Sequence, residues 1–324
     1  MKLRFQAVHE ETPADKWKAH FEKVWPDYNM WFLREGDGKR PGYMTCRRAL
    51  QQHMPELVPL WEHLGELGGG GDQVARMLSL YCPTPYLVAC SQALWTRDQP
   101  VLVRNYDYHP ARCEGLLLMS AWHGTRVIAS SDSLWGVLDG MNEHGLAVTL
   151  AFGGRRVVGE GFGIPLVLRY ILEFCKTVAE GVAVLQRVPS HMAYTIGLLD
   201  ATGNHATVYV NPDQPTEVTD RRIATNHQNG VEWAEHADLT RSLPRADFLE
   251  ACIERPEETV TDFISRFLET PVVSTDYSKA FGTLYTAAYW PATGQVEFRW
   301  PNRSWHQSFD RFVEGVAVIA YPAG

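Results

Sequence analysis

The 324-residue chain has no run approaching the ~20 consecutive apolar residues of a membrane span. Its start, Met1-Lys2-Leu3-Arg4-Phe5-Gln6, turns charged at Glu10, Glu11, Asp15 and Lys16 without an apolar core of signal-peptide length. No basic patch exceeds a few residues, and the net charge is −8, which argues against nucleic acid as a partner. The six cysteines (46, 82, 90, 113, 175 and 252) include no C-x-x-C pair and no regular spacing, so free thiols in a reducing, cytoplasmic compartment are expected. The Gly68-Gly69-Gly70-Gly71 run is followed by no Gly-Lys-Ser/Thr and so reads as a flexible joint, not a phosphate loop. No internal repeat is visible. What remains is a chain that is 45% apolar, ample for a large core in one layered α/β unit or two smaller domains.

Two stretches carry chemistry. Cys90-Ser91-Gln92-Ala93-Leu94-Trp95 reads as a strand that begins with a thiol, with Tyr86 to Ala89 crowding in front of it. Val101 to Tyr108 reads as a second strand ending in Arg104, Asn105 and Asp107. The polar connector Thr96 to Pro100 suits a hairpin, which would bring the thiol near those three side chains. A thiol attacks well only as thiolate, and a free thiol has a pKa of about 8.5. No histidine lies in this hairpin, and Arg104 supplies charge but accepts no proton. A base at a fixed distance would exist if the peptide bond before Cys90 were cut, because a free α-amine titrates near pH ~8. Cys90 also has the reading of a small buried hydrophobe. Cys82 is the rival thiol, but Pro83 follows it and lacks an amide donor.

Along the chain, residues 1–80 read as mostly helical. Trp17, Phe21 and Trp25 form one face, and a second helical stretch from Cys46 to Leu67 is interrupted by Pro55 and Pro59. Strands follow at Gly115–Ser120, Arg126–Ser131, Trp135–Asp139 and Leu146–Phe152, with Gly140 to Gly145 as a turn cluster. Ile164, Val167, Leu168, Ile171 and Cys175 mark an amphipathic helix, and Thr177-Val178-Ala179-Glu180 is a capping box opening another. Strands at Ala193–Asp200 and Asn204–Val210 flank a turn, and a strand beginning at Ile223 ends in Asn226-His227. Arg245, after Pro244, lies in the first turn of a further helix. Another helix at about 257–268 and a hairpin pairing Thr283–Trp290 with Gln295–Trp300 close the chain.

Cys90, Arg104-Asn105 and Asp107, together with Asn142-Glu143-x-Gly145-Leu146 and the strand ending in Asn226, resemble the N-terminal-nucleophile (Ntn) hydrolases. The resemblance is to peptidase family C45, the acyl-coenzyme A:6-aminopenicillanic acid acyltransferase-like group, with acid amidases and choloylglycine (bile-salt) hydrolases as relatives. It covers roughly residues 75–300. It implies an α+β fold, the four-layer αββα sandwich of two antiparallel sheets between helical layers. It implies self-cleavage between Ala89 and Cys90, with residues 1–89 a propeptide or small subunit and residues 90–324 the catalytic core. Arg104 and Asp107 would hold the nucleophile. Asn226 and a backbone N–H at Ala151 would stabilise an oxyanion, and Arg245 would face the pocket, with Arg241 as its competitor. His227 stands as an alternative base.

The expected activity is hydrolysis or transfer of an acyl group at a small amide, through an acyl-thioester on Cys90, with no metal or organic cofactor. The expected partners are a small-molecule amide or acyl donor and the chain's own N-terminal fragment, with a homo-oligomer also allowed. The competing readings are a catalytically silent sandwich that binds a small molecule or partner, and a papain-like Cys/His enzyme with an internal thiol. One geometric demand follows from strand alternation. Arg104 and Asp107 are three residues apart and point to opposite faces of a regular strand, so for both to serve Cys90 the strand should end or bulge near Asn105.

Overall fold

The computed structural model describes residues 1–277 and 281–322. The chain opens with strand β1 (Lys2–His9), then helices α1 (Asp15–Phe32), α2 (Tyr43–His53), α3 (Val58–Leu67) and α4 (Asp72–Leu78). Strands β2 (Ala89–Trp95), β3 (Val101–Tyr108), β4 (Leu116–Ser120), β5 (Val127–Asp132), β6 (Gly136–Asn142) and β7 (Leu146–Phe152) follow. Helices α5 (Ile164–Phe174) and α6 (Val178–Arg187) precede β8 (Tyr194–Asp200), β9 (His205–Val210), β10 (Glu217–Thr219) and β11 (Ile223–Ala224). The remainder is α7 (Ala234–Leu239), α8 (Ser242–Ile253), α9 (Val260–Arg266), β12 (Thr275–Asp276), β13 (Phe281–Trp290), β14 (Gln295–Trp300), β15 (Arg303–Ser308) and β16 (Gly315–Ala320). No described helix is long and apolar enough to cross a membrane.

The strands form two sheets. One runs β10-β9-β8-β7-β6-β5-β4-β1-β16, and the other β11-β2-β3-β13-β14-β15, with β12 paired to β13. They face each other, β2 and β3 lying against β7 and β8. Helices α5 and α6 cover the outer face of the first sheet, and α8 and α9 that of the second. The result is a four-layer αββα sandwich. Its main core lies between the sheets and around α1 to α6. A second core, including Trp95, Val103, Leu249 and Phe263, lies between the second sheet and its helices. The capping box of α6 forms as expected, Thr177 Oγ1 accepting from Glu180 N and the Glu180 carboxylate accepting from Thr177 N.

Three expectations are corrected. Residues 1–80 are not helical throughout, because β1 sits inside the first sheet, antiparallel to β16 and parallel to β4. Its Leu3, Phe5 and Ala7 turn inward at period two. The β1–β4 pair also makes the first sheet mixed rather than purely antiparallel. The chain passes through four helices and a hairpin between those strands, and a long crossover allows parallel pairing. The supposed turn at 140–145 is shorter, since Gly140 to Asn142 belong to β6. Asn142 organises this turn. Its Oδ1 accepts from His144 N and Leu146 N, while its Nδ2 donates to the Leu172 and Cys175 carbonyls at the end of α5.

β1 is an interior strand, and Phe5 packs edge-on against Tyr285 and beside Trp300, with centroids 6.0 and 5.1 Å away. Phe5→Ala is expected to cost about 3–5 kcal/mol of stability. Urea unfolding measures this, and a loss under about 1 kcal/mol would mean that β1 is not part of the core.

Candidate active site

The hairpin forms as the sequence suggests. β2 and β3 pair antiparallel, with Ala89 opposite Asp107, Cys90 opposite Tyr106, Ser91 opposite Asn105 and Gln92 opposite Arg104. β3 neither ends nor bulges near Asn105 but runs on to Tyr108, and the register shift falls in its neighbour β13, between Thr283 and Tyr285. The alternation rule therefore holds, and Arg104 and Asp107 point to opposite faces. Cys90, Gln92, Arg104 and Tyr106 face the other sheet. Ser91, Asn105 and Asp107 face the α8–α9 layer.

On the inner face, Arg104 Nη2 donates to Cys90 Sγ at 3.0 Å, a diagonal contact across the strand pair. Arg104 is fully buried, so each of its donors needs a partner. Nε donates to the Leu150 carbonyl at 3.0 Å. That carbonyl lies beyond the β6–β7 register, which ends at Thr149. Nη1 pairs with the buried Asp139 carboxylate, which also accepts from Tyr285 OH at 2.9 Å and Tyr289 OH at 2.6 Å. Asp139, Tyr285 and Tyr289 were not anticipated. A lone Asp at a strand–Gly step carries no sequence signal, and its meaning appears only when β3, β6 and β13 meet.

On the outer face, Arg245 is the hub. Its Nη1 donates to the Cys90 carbonyl at 3.0 Å, Ser91 Oγ at 2.9 Å and Asp107 Oδ2 at 3.0 Å, and its Nη2 to Asn226 Oδ1 at 2.7 Å. Asp107 accepts from Thr283 Oγ1 at 2.6 Å as well. Asp107 thus reaches strand β2 through Arg245 and does not face the sulfur. Burial pushes the Asp107 carboxyl up, against the pull of Arg245 and Thr283. Arg241 does not take this place. It precedes α8 in a left-handed conformation at φ 50°, and its guanidinium donates to the Val273 carbonyl.

Asn226 joins the two faces. Its Oδ1 accepts from Cys90 N at 3.2 Å, and its Nδ2 donates to the Phe152 carbonyl at 3.2 Å. The amide has one orientation available, since Arg245 and Cys90 N both donate to it and Phe152 O accepts. Ser242 Oγ accepts from Asn226 N at 2.9 Å and fixes its backbone. The turn after β7 presses on the same residue. Gly154 has φ +71°, and a Cβ there would run into the Asn226 carbonyl, so only glycine fits. Ala151 lies within β7 opposite Thr195, fully buried. His227 is held by Ser242 Oγ at 2.9 Å and by Thr225, and burial lowers its pKa. Among the described residues the Cys90 sulfur hydrogen-bonds to Arg104 alone, so no histidine is paired with it. The rival Cys82 has φ 45°, and its backbone N–H is used by the Gly161 carbonyl.

The Cys90 side chain is 0% exposed. Burial raises its thiol to about 11, Arg104 pulling it down and Asp107 pushing it up. With the Ala89–Cys90 bond intact the sulfur is a neutral thiol at neutral pH, accepting a hydrogen bond from a cation. Two surface clefts lie elsewhere, one beside Trp61 and Gly70 and one beside Arg187 and Gln214.

Residues 95–305, more than half of the chain, match the family described as acyl-coenzyme A:6-aminopenicillanic acid acyl-transferase. The match includes Arg104, Asp107, Ala151, Asn226 and Arg245 and begins just after Cys90. No curated protein matches the chain. Similar solved structures include penicillin V acylase from Agrobacterium tumefaciens, at 16% identity over 69% of this chain and 86% of that one, with a TM-score of 0.46. A Caenorhabditis elegans N-acylethanolamine-hydrolyzing acid amidase ortholog matches at 17% identity over 72% and 100%, with a TM-score of 0.49. A mutant of conjugated bile acid hydrolase from Clostridium perfringens matches at 13% identity over 72% and 97%, with a TM-score of 0.45.

Asp139→Asn would leave the Arg104 cation buried without its counter-ion. The expected loss of stability is about 3–5 kcal/mol, read by chemical denaturation. A loss below about 1 kcal/mol would contradict the role given to Asp139.

Proposed function

The chain belongs to the acyl-coenzyme A:6-aminopenicillanic acid acyl-transferase family, and on that premise we propose that it is a self-processing amidohydrolase or N-acyltransferase working through Cys90. The observation that carries this reading is the 3.0 Å contact from Arg104 Nη2 to the Cys90 sulfur. It puts a fixed positive charge on a thiol at the start of a strand whose first peptide bond joins Ala89 to Cys90.

In the proposed first step the Cys90 sulfur attacks the Ala89 carbonyl carbon. The carbon–nitrogen bond breaks, the thiol proton passes to the departing nitrogen, and Ala89 is left as a thioester. Water hydrolyses the thioester, leaving a carboxylate on residue 89, a free thiol and an α-amine on Cys90. Residues 1–89 then form a separate fragment, retained through β1 in the first sheet. Asn226 Oδ1, which faces Cys90 N, is suited to hold the new amine. Arg245 steadies the strand through the Cys90 carbonyl and Ser91, with Asp107 as its counter-ion.

In turnover the amine takes the thiol proton, and the sulfur attacks an external amide or acyl donor. An acyl-thioester forms, and water or an amine receives the acyl group. Asn226 Nδ2, once released from Phe152, and the backbone N–H at Ala151 are the proposed oxyanion donors. Each such donor contributes about 3–4 kcal/mol to the transition state in comparable sites. Hydrolase and transferase share all these residues and differ in whether the pocket admits an amine ahead of water.

A second reading is a silent binding protein. The sealed sulfur, raised to about 11, favours it for the uncut chain. A free thiol is half ionised at pH ~8.5, whereas here the neutral form persists until pH approaches 11, so the intact chain should resist iodoacetamide at Cys90 at pH 8 and gain labelling only as pH rises further. Screening against N-acyl amino acids, penicillins and bile-salt amides separates the two readings. The enzyme should turn over at least one compound, leave an acyl adduct on the Cys90 peptide, and lose at least ~1,000-fold of its rate in Cys90→Ala. Turnover untouched by Cys90→Ala would contradict the proposal.

A further inference from the structure

The first sheet ends in two unlike strands. At one end is β10, three residues long and opening with Glu217. At the other is β16, Gly315-Val316-Ala317-Val318-Ile319-Ala320, with no charge and no proline. In the second sheet β11 and β12 have two residues each, and the edge strand β15 carries Arg303 and His306. Shortness, charge and proline are what keep a sheet edge from pairing with another chain. Among the described edge strands, β16 alone has none of these guards.

The backbone of β16 is open on its outer side. Met1 and Tyr321 exchange both backbone hydrogen bonds, Tyr321 N donating to Met1 O at 2.8 Å and Met1 N to Tyr321 O at 2.9 Å. In an antiparallel ladder such pairs alternate with pairs that exchange none. Along the β1–β16 register, Ile319, Ala317 and Gly315 therefore bond to β1. Ala320, Val318 and Val316 turn their N–H and C=O groups to the open side, and no described loop or side chain bonds to them there. Their side chains are bare as well. Val316 is 44% and Val318 53% exposed, with exposed Val313 at one end of the strand and exposed Met1 at the other, whereas Ala317 and Ile319 are buried.

Donors and acceptors alternating along an apolar strand fit another extended strand. We propose that the partner is β16 of a second copy of this chain, paired antiparallel about a twofold axis at Val318. The strand is complementary to itself in that register. Val318 meets Val318, and Val316 meets Ala320 on either side of the axis. Each of these three residue pairs exchanges two hydrogen bonds, so every outward group from Val316 to Ala320 is used. The two first sheets become one, and the twofold closes the assembly. Charge favours the same arrangement. No charged side chain lies on β16 to meet its like. Glu314, just before the strand, comes to lie across from Pro322, about two strand spacings from Lys2 of the second copy, which stands beside Ala320. The Glu314 Oε1 is taken by His9 N and Lys16, and its Oε2 has no partner among the described residues. Each end of the paired strands thus sets an acid near a base. Nothing in this interface depends on the chemistry at Cys90.

Disulfide cross-linking of the whole protein tests the register. Across the proposed axis the two Cα atoms of residue 318 lie about 5.5 Å apart, within disulfide reach, and those of residue 316 lie ~14 Å apart. Under mild oxidation Val318→Cys should double the mass of the chain that carries β16 on a non-reducing gel, and wild type and Val316→Cys should not. Sedimentation over a concentration series should show wild type passing from monomer to dimer. Val318→Pro removes an N–H that β1 does not use and should weaken the dimer at least tenfold. Val316→Lys combined with Val318→Lys places like charges across the axis and should do the same with the ladder intact. Val218→Lys, at the opposite edge of the sheet, should leave association unchanged. A wild type that stays monomeric throughout, a dimer that neither the proline nor the lysine variant weakens, or cross-linking of Val316→Cys as fast as Val318→Cys overturns the proposal.

Discussion

A guanidinium that water does not reach governs the arrangement of this molecule. Arg104 lies between two sheets, and an unpaired charge there would cost several kcal/mol. Three groups remove that cost: the Asp139 carboxylate, backed by two tyrosine hydroxyls, the Leu150 carbonyl beyond the β6–β7 register, and the Cys90 sulfur. Each comes from a different strand, so the sheets cannot slide past one another without breaking the set. The sulfur is placed by the same requirement, and structural and chemical demands meet on one side chain.

A second arginine does the equivalent on the opposite face of the same strand pair. Arg245 ties the carbonyl of residue 90, the hydroxyl of Ser91, Asp107 and Asn226 together. Strand β2 is thus clamped from both sides at its first residues, where the proposed bond break occurs. Clamping both sides of a bond favours attack from a fixed direction, because the entropy of aligning the reacting atoms is removed in advance. Among the described residues no histidine is paired with the Cys90 sulfur, so a base from elsewhere is needed. In the proposed scheme the base for later turnovers is the amine that the cut before Cys90 would create.

Much of this was legible in the residues, for reasons that can be named. The β2–β3 hairpin announces itself by two apolar runs around a polar turn. The α6 capping box and the α5 stripe follow from local pattern alone. Arg245 and Arg241 both stood as candidates, and it is the Arg245 guanidinium that meets the Cys90 carbonyl and Asp107, while that of Arg241 donates to the Val273 carbonyl. What failed was non-local. β1 alternates at period two but stands before a strongly helical aromatic segment, and its partners β4 and β16 lie far along the chain. Asp139 gains its role from packing between sheets, which no window of sequence contains. The bulge expected near Asn105 came from asking one strand to aim two side chains at one sulfur. The structure uses both faces and lets Arg245 carry the influence of Asp107 across.

The central claim is that the backbone opens ahead of Cys90. Intact mass spectrometry of the purified protein, with sequencing of the larger fragment, tests it most directly. The account predicts two non-covalent fragments, residues 1–89 and a second beginning at Cys90, and a single uncut chain in Cys90→Ala. A wild-type chain that remains whole after long incubation, or one cut elsewhere, would contradict it.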